Sequence, residues 1–161
     1  MSNEVVTKTE KYDNGTYTGE FRNGKYWGNG IMRWNNGDIY EGSYVNGEKH
    51  GYGIYKYNDG DIYIGEFRNN CRTGQGTFKY NNGNTYVGSF ANNKFHGEGT
   101  FYYKSGARFV GSFENDKLSK GRKTYANGDW IEGSLINEKF NGFVTYHYTN
   151  GDIYEGNAVD D

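Results

Sequence analysis

The sequence predicts an all-β fold: a single-layer antiparallel meander of about six 23-residue repeats with a half repeat at each end. Three observations carry that expectation. Turn glycines recur at Gly15, Gly37, Gly60, Gly83, Gly106, Gly128 and Gly151, spaced 22 or 23 residues apart. A second series follows four or five residues later, at Gly19, Gly42, Gly65, Gly88, Gly111, Gly133 and Gly156. Aromatic residues reach 19% of a chain whose hydrophobic content is only 34%, so its buried surface must consist largely of rings. With 26 glycines and no proline, ring-rich segments between glycine turns read as strands joined tightly.

The elements follow in order. A cap covers 5–16, where Lys8–Tyr12 sits as a second strand before the Gly15 turn. Repeats are expected over 17–39, 40–62, 63–85, 86–108, 109–130 and 131–153, and a lone first strand over 154–158 closes the single domain. The stretch YEGSYVNGEKHGYGIYKYNDGDI, Tyr40 to Ile62, shows the unit. Tyr40, Gly42 and Tyr44 alternate with Glu41 and Ser43, as a strand with two different faces requires. After a polar loop, Gly51, Gly53, Tyr55 and Tyr57 alternate with Tyr52, Ile54 and Lys56, giving the second strand. Asp59-Gly60, and Asn-Gly at Gly15, Gly37, Gly83, Gly128 and Gly151, are expected to form two-residue hairpin turns with positive φ.

Gly-x-Gly pairs precede the second strand in the first four units, at Gly28/Gly30, Gly51/Gly53, Gly74/Gly76 and Gly97/Gly99. Glycine weakens a strand, so its regular placement on the ring face needs a reason: it leaves a shelf on which an aromatic side chain can lie. One unit is too small to fold alone, and stacked units share a continuous apolar layer. Fourteen strands spaced about 4.8 Å apart would make a rod or trough about 65 Å long.

The pattern Tyr-x-Gly-x-aromatic, polar loop, His-Gly-x-Gly, Tyr and Asn-Gly-Asp resembles the MORN repeat (membrane occupation and recognition nexus) from about Lys8 to Ala158. YEGSYVNGEKHGYGIYKYNDGD and YVGSFANNKFHGEGTFYYKSG match at almost every signature position. The resemblance implies a β-hairpin solenoid acting as a binding and scaffolding module. Such modules occur in cytoskeletal and ciliary assemblies, at membrane contact sites, and attached to lipid kinases or protein methyltransferases. Some have been proposed to bind anionic phospholipids, others to hold a partner peptide in a groove.

Catalysis is not expected. His50 and His96 lie two repeats apart before Gly-x-Gly pairs, and His147 lacks a recurring carboxylate or cysteine partner. Asp38, Asp61, Asp129 and Asp152 each follow a turn glycine, and Glu41, Glu132 and Glu155 each precede a strand glycine. Repetition of this kind indicates turn chemistry and solvated faces. The Asn58–Asp61 turn lacks the further oxygen ligands that calcium needs. The GYG stretches have a strand after them where a phosphate loop has a helix. Aromatic cell-wall and glucan-binding repeats use a different spacing and more tandem Trp. Cys71 reads as a loop residue without a redox role, and one cysteine can form neither an internal disulfide nor a four-cysteine zinc site. No cofactor or metal is expected, and a net charge of -2 gives no reason to expect nucleic acid. The first residues hold no apolar run of signal-peptide length, so a cytoplasmic protein is expected, peripheral at membrane or cytoskeleton.

A non-enzymatic scaffold binding a protein or peptide is the expected function. The alternatives are peripheral binding of anionic lipid or the repeat segment of a larger enzyme. The row Met32, Tyr55, Phe78, Phe101, Lys123 and Tyr146 is the expected partner groove, with Tyr26, Trp27, Phe95, Tyr102, Trp130 and Phe140 as further aromatic anchors. KLSKGRK supplies a candidate anionic-ligand patch of Lys117, Lys120, Arg122 and Lys123. In the repeat frame this is also where a loop shortens, Ser119 replaces the first glycine of the pair and Lys123 enters the ring row.

Overall fold

Alternation and glycine turns make strands throughout: the computed structural model describes residues 4–158, and these form fourteen strands and no helix. The chain comprises two compact units, Met1–Asn81 and Asn82–Asp161. The first holds β1 (Val5–Tyr12), β2 (Gly15–Arg22), β3 (Lys25–Trp34), β4 (Ile39–Val45), β5 (Glu48–Lys56), β6 (Ile62–Arg68) and β7 (Cys71–Lys79). The second holds β8 (Thr85–Ala91), β9 (Lys94–Tyr102), β10 (Arg108–Glu114), β11 (Lys117–Thr124), β12 (Trp130–Ile136), β13 (Lys139–His147) and β14 (Ile153–Ala158). Within each unit every strand pairs antiparallel with the next, which is the architecture of a β-hairpin solenoid. Cys71 is the first residue of β7, paired opposite Arg68, rather than a loop residue.

The turns correct one expectation. Two successive positive φ values, the mark of a two-residue type I′ turn, occur in the polar loops inside the repeats. They are found at Asn23-Gly24, Asn46-Gly47, Asn69-Asn70, Asn92-Asn93, Asn115-Asp116 and Asn137-Glu138. At the Asn-Gly sites only the glycine is positive, and the loop is one residue longer. The Gly37 N–H donates to the Trp34 carbonyl at 3.0 Å and the Trp34 N–H to the Asp38 carbonyl at 2.9 Å, so Gly37 closes a type I turn as a bulge. Gly60, Gly106, Gly128 and Gly151 repeat that pattern, whereas Gly15 opens β2 without a positive φ.

The shelf is real, and its geometry explains the paired glycines. Gly42 and Gly53 face each other across β4 and β5, and the Tyr40 ring lies over them. A Cβ on Gly53 would meet that ring at 2.5 Å, closer than real atoms approach. Because the ring lies flat, its hydroxyl reaches the backbone and donates to the Ser43 carbonyl at 3.0 Å. Tyr17, Tyr63 and Tyr86 do the same with Glu20, Glu66 and Ser89, and all four are 0% exposed. Edge-to-face neighbours fill the remaining space: Tyr40 meets Tyr44 at 5.1 Å and Phe67 at 5.0 Å, and Tyr86 meets Phe90 at 5.3 Å and Phe113 at 4.9 Å. Such pairs add about 0.5–1.5 kcal/mol each beyond area burial. In each unit one face of the strands therefore carries the apolar layer, while Tyr52 in the first unit and Val87, Val110 and Phe143 in the second stand exposed on the other face.

Both turn edges are zipped by side chains. Asp38, Asp61, Asn84 and Asp129 each accept from a backbone N–H of the next repeat's turn, at Asn58, Asn81, Lys104 and Thr149, at 2.8–2.9 Å. At the opposite edge Asn70 accepts from the Lys49 N–H and Asp116 from the Phe95 N–H. These rungs hold successive repeats in register and so set the spacing of the ring face.

Candidate functional site: a ribbon of rings

Each unit presents a line of rings beside its buried layer. In the first unit Met32, Tyr55 and Phe78 pair opposite the shelf residues Tyr17, Tyr40 and Tyr63. Two residues further along come Trp34, the last residue of β3, and Tyr57 and Tyr80, one residue past the ends of β5 and β7. The two rows interleave: Trp34 stacks on Tyr55 at 5.5 Å, Tyr55 meets Tyr57 at 4.4 Å, Tyr57 meets Phe78 at 5.8 Å and Phe78 meets Tyr80 at 4.7 Å. Met32 and Phe78 are buried and support the ribbon from beneath; Trp34, Tyr55 and Tyr57 are half-buried and form its accessible part.

In the second unit Phe101 meets Tyr103 at 4.8 Å, and Tyr125, Tyr146 and Tyr148 follow at 6.0 and 4.5 Å. Between them lies Lys123, whose Nζ sits 5.8 Å from the Tyr103 ring centre and 5.1 Å from that of Tyr125. A cation over two rings continues the ribbon where a ring is missing. The row Trp34, Tyr57, Tyr80, Tyr103, Tyr125 and Tyr148 was not singled out from the sequence. Its signal is there: an aromatic residue two positions after each member of the expected row.

A third row borders the first. Tyr26, Lys49 and Arg72 in the first unit, and Phe95 and Leu118 in the second, pair opposite the second ring of the preceding strand, and Phe140 pairs opposite Leu135 at the same register. Tyr26 stacks on Tyr17 and Phe95 on Tyr86, both at 3.9 Å. Phe95 and Phe140 are buried, so these two expected anchors are part of the packed layer. Trp27, Tyr102 and Trp130 alternate away from the ring face. Trp27 lies under the Arg22 guanidinium at 4.7 Å, and Tyr102 is exposed. Trp130 is sandwiched between His147, stacked at 3.7 Å, and the Arg122 guanidinium at 3.8 Å, an arrangement not foreseen for His147.

The basic stretch does not form one patch. Lys123 is on the ring face, whereas Arg122 is on the other face, where its guanidinium donates twice to Glu132 Oε2, at 2.9 and 2.7 Å. Lys117 and Lys120 are exposed.

The electrostatics of the ribbon are those of partly buried phenols. Burial raises the pKa of Tyr55, and its hydrogen bond to Asp38 Oδ2 at 2.9 Å raises it further. For Asp38 burial opposes ionisation, but donors from Asn58, Tyr55 and Asn36 outweigh it and hold the carboxyl below its ordinary value. Burial pushes the Lys49 ammonium down. Among the described residues no cluster of three or more His, Cys, Asp or Glu could hold a metal ion. The arrangement supplies flat apolar area, phenol hydroxyls and a few cations.

The MORN repeat profile matches residues 17–39, 40–62, 63–85, 86–108 and 109–130. No curated protein sequence matches the chain. Among solved structures, the TCP domain of SAS-4 (dCPAP) from Drosophila melanogaster, in complex with a proline-rich motif of Ana2 (dSTIL), is similar with a TM-score of 0.57 at 15% identity, over 94% of this chain and 90% of that one. The TCP10 domain of Danio rerio CPAP has a TM-score of 0.33 at 13% identity, over 96% of this chain and 100% of that one. The likeness to the SAS-4 domain is one of fold.

Proposed function

Because the chain belongs to the MORN-repeat family, we propose that it is a non-catalytic scaffold whose ring face holds an extended segment of a protein partner. The observation that carries this reading is the interleaved ribbon from Trp34 to Tyr80: the half-buried rings of Trp34, Tyr55, Tyr57 and Tyr80 packed in stacked and tilted contacts around the buried Phe78. Rings held by their stacked and tilted neighbours lose little conformational freedom on binding, and flat aromatic rows suit the pre-extended backbone of a proline-rich segment. The SAS-4 domain, of similar fold, was solved with a proline-rich motif, which supports the same class of partner here. A split basic stretch with Arg122 already paired gives anionic membranes no continuous surface. The proposed setting is cytoplasmic.

The test is selection of binding peptides from a random library against the full chain, followed by affinity measurement on variants. Tyr55→Ala or Tyr57→Ser is expected to weaken selected peptides about tenfold or more. Tyr52→Ser, on the other face, and charge reversal of Lys120 and Arg122 leave them unchanged. A reversed ranking contradicts the proposal.

A further inference from the structure

The third row of the first unit changes character along its length. Tyr26 stacks flat on the shelf ring of its repeat, yet Lys49 and Arg72 occupy the same register in the next two, opposite Tyr44 and Phe67. Lys49 Nζ lies 4.7 Å from the Tyr55 ring centre, 5.5 Å from Trp34, 5.6 Å from Tyr40 and 5.7 Å from Phe67. Arg72 lies 5.2 Å from Phe78 and 5.7 Å from Tyr63. Both are half-buried against the ribbon, where a cation is worth more to an incoming anion than in open water.

The acid nearest in influence to Lys49 is Asp38, and it is committed elsewhere. It accepts from the Asn58 N–H, the Tyr55 hydroxyl and the Asn36 amide, and Lys49 makes no ion pair among the described residues. Asp38 and Asp61 lie at the three-residue-turn edge, whereas Lys49 and Arg72 follow the type I′ turns at the other edge. An acidic segment is thereby directed to the Lys49 side.

Spacing identifies the conformation. Lys49 is on β5 and Arg72 on β7, two strands apart, which is about 9.6 Å. A polyproline-II segment advances about 3.1 Å per residue with three residues per turn, so residues i and i+3 point the same way about 9.3 Å apart.

Resting on the ring-face reading above, we propose that Lys49 and Arg72 read two acidic side chains three residues apart on a polyproline-II segment running across β5 to β7. The rings take the proline faces and the two cations set the register.

The test uses the full chain and synthetic peptides of five Glu-Pro-Pro, Gln-Pro-Pro or Lys-Pro-Pro triplets, and one of Glu-Pro pairs that breaks the three-residue period. Glu-Pro-Pro is expected to bind about tenfold or more tighter than Gln-Pro-Pro, with the Glu-Pro and Lys-Pro-Pro peptides weaker still. In the Lys49→Phe/Arg72→Phe variant, which adopts the ring found at this register in Phe95, the preference for Glu over Gln should vanish while Gln-Pro-Pro binding persists. Lys49→Arg should keep the preference. Equal binding of the Glu and Gln peptides, lost in Tyr57→Ser, overturns the acidic register and leaves the ring-face scaffold standing. Equal Glu-Pro-Pro and Glu-Pro binding, binding of none of the peptides, or Lys49-dependent binding of phosphatidylserine vesicles in their place also overturns it.

Discussion

Repeat two (40–62) and repeat five (109–130) solve the same packing problem with different atoms. In the former, Tyr40 lies on Gly42 and Gly53, and its own hydroxyl satisfies the Ser43 carbonyl. In the latter, Phe109 lies against Gly121 without a hydroxyl, and the corresponding carbonyl, of Ser112, accepts instead from Ser119 Oγ at 3.1 Å. The donor has moved from the ring to the strand that replaced a glycine. What repeat five preserves is the satisfied carbonyl, not the residue that satisfies it. Repeat six takes a third route: Ile131 replaces the ring, and Val144 fills the space over Gly133 that an aromatic occupies elsewhere.

The largest effect that would sharpen this contrast is Gly53→Val. Forcing a side chain into the Tyr40 ring should cost about 3 kcal/mol or unfold the chain in urea denaturation. Combining it with Tyr40→Ile, which copies repeat six, should give a double mutant less damaged than the sum of the singles by about 1–3 kcal/mol. Additive costs would break the claim that ring and glycine are one device. Next, Ser119→Ala leaves the Ser112 carbonyl without its donor and should cost about 1–2 kcal/mol, and adding Phe109→Tyr should recover most of it. If Ser119→Ala is neutral by denaturation, the relocated hydroxyl has no energetic role.

A smaller effect concerns the edge rungs. Asp38 carries a depressed folded pKa, so its contribution is fully present above the ordinary aspartate value of 3.8 and is lost as pH falls through the folded value. Asp38→Asn should flatten the acid limb of a stability-versus-pH curve in that range. The smallest is a repair: Ala107 stands where other repeats have Asp or Asn and supplies no side-chain acceptor to the next turn. Ala107→Asp, placed to accept from the Ala126 N–H, should raise stability by about 0.5–1 kcal/mol in thermal or urea melts.

Much of the fold was legible because strand alternation and glycine period are local signals. The shelf under Tyr17, Tyr40, Tyr63 and Tyr86 could be read from spacing alone. The turn types could not, since Asn70, Asn93, Asp116 and Glu138 hold a left-handed backbone that the sequence associates with glycine, while the Asn-Gly sites need only one positive φ. The site was half legible. The row of Met32, Tyr55 and Phe78 was visible, but Trp34 and Tyr57 sit next to turns and read as strand ends. Lys49 and Arg72 follow polar loops, and only their register opposite Tyr44 and Phe67 places them among the rings. Ser119 looked like a lost glycine because a hydroxyl's partner across strands leaves no mark in the sequence.

The three tryptophans allow a direct test of the ring-face claim. Trp34 stacks on Tyr55 in the ribbon, whereas Trp27 and Trp130 lie on the other face beneath Arg22 and Arg122. In a titration of the full chain with the Gln-Pro-Pro peptide, followed by the indole N–H resonances, the account predicts that Trp34 shifts progressively while Trp27 and Trp130 stay in place. Shifts at Trp27 or Trp130 with Trp34 unmoved would contradict it.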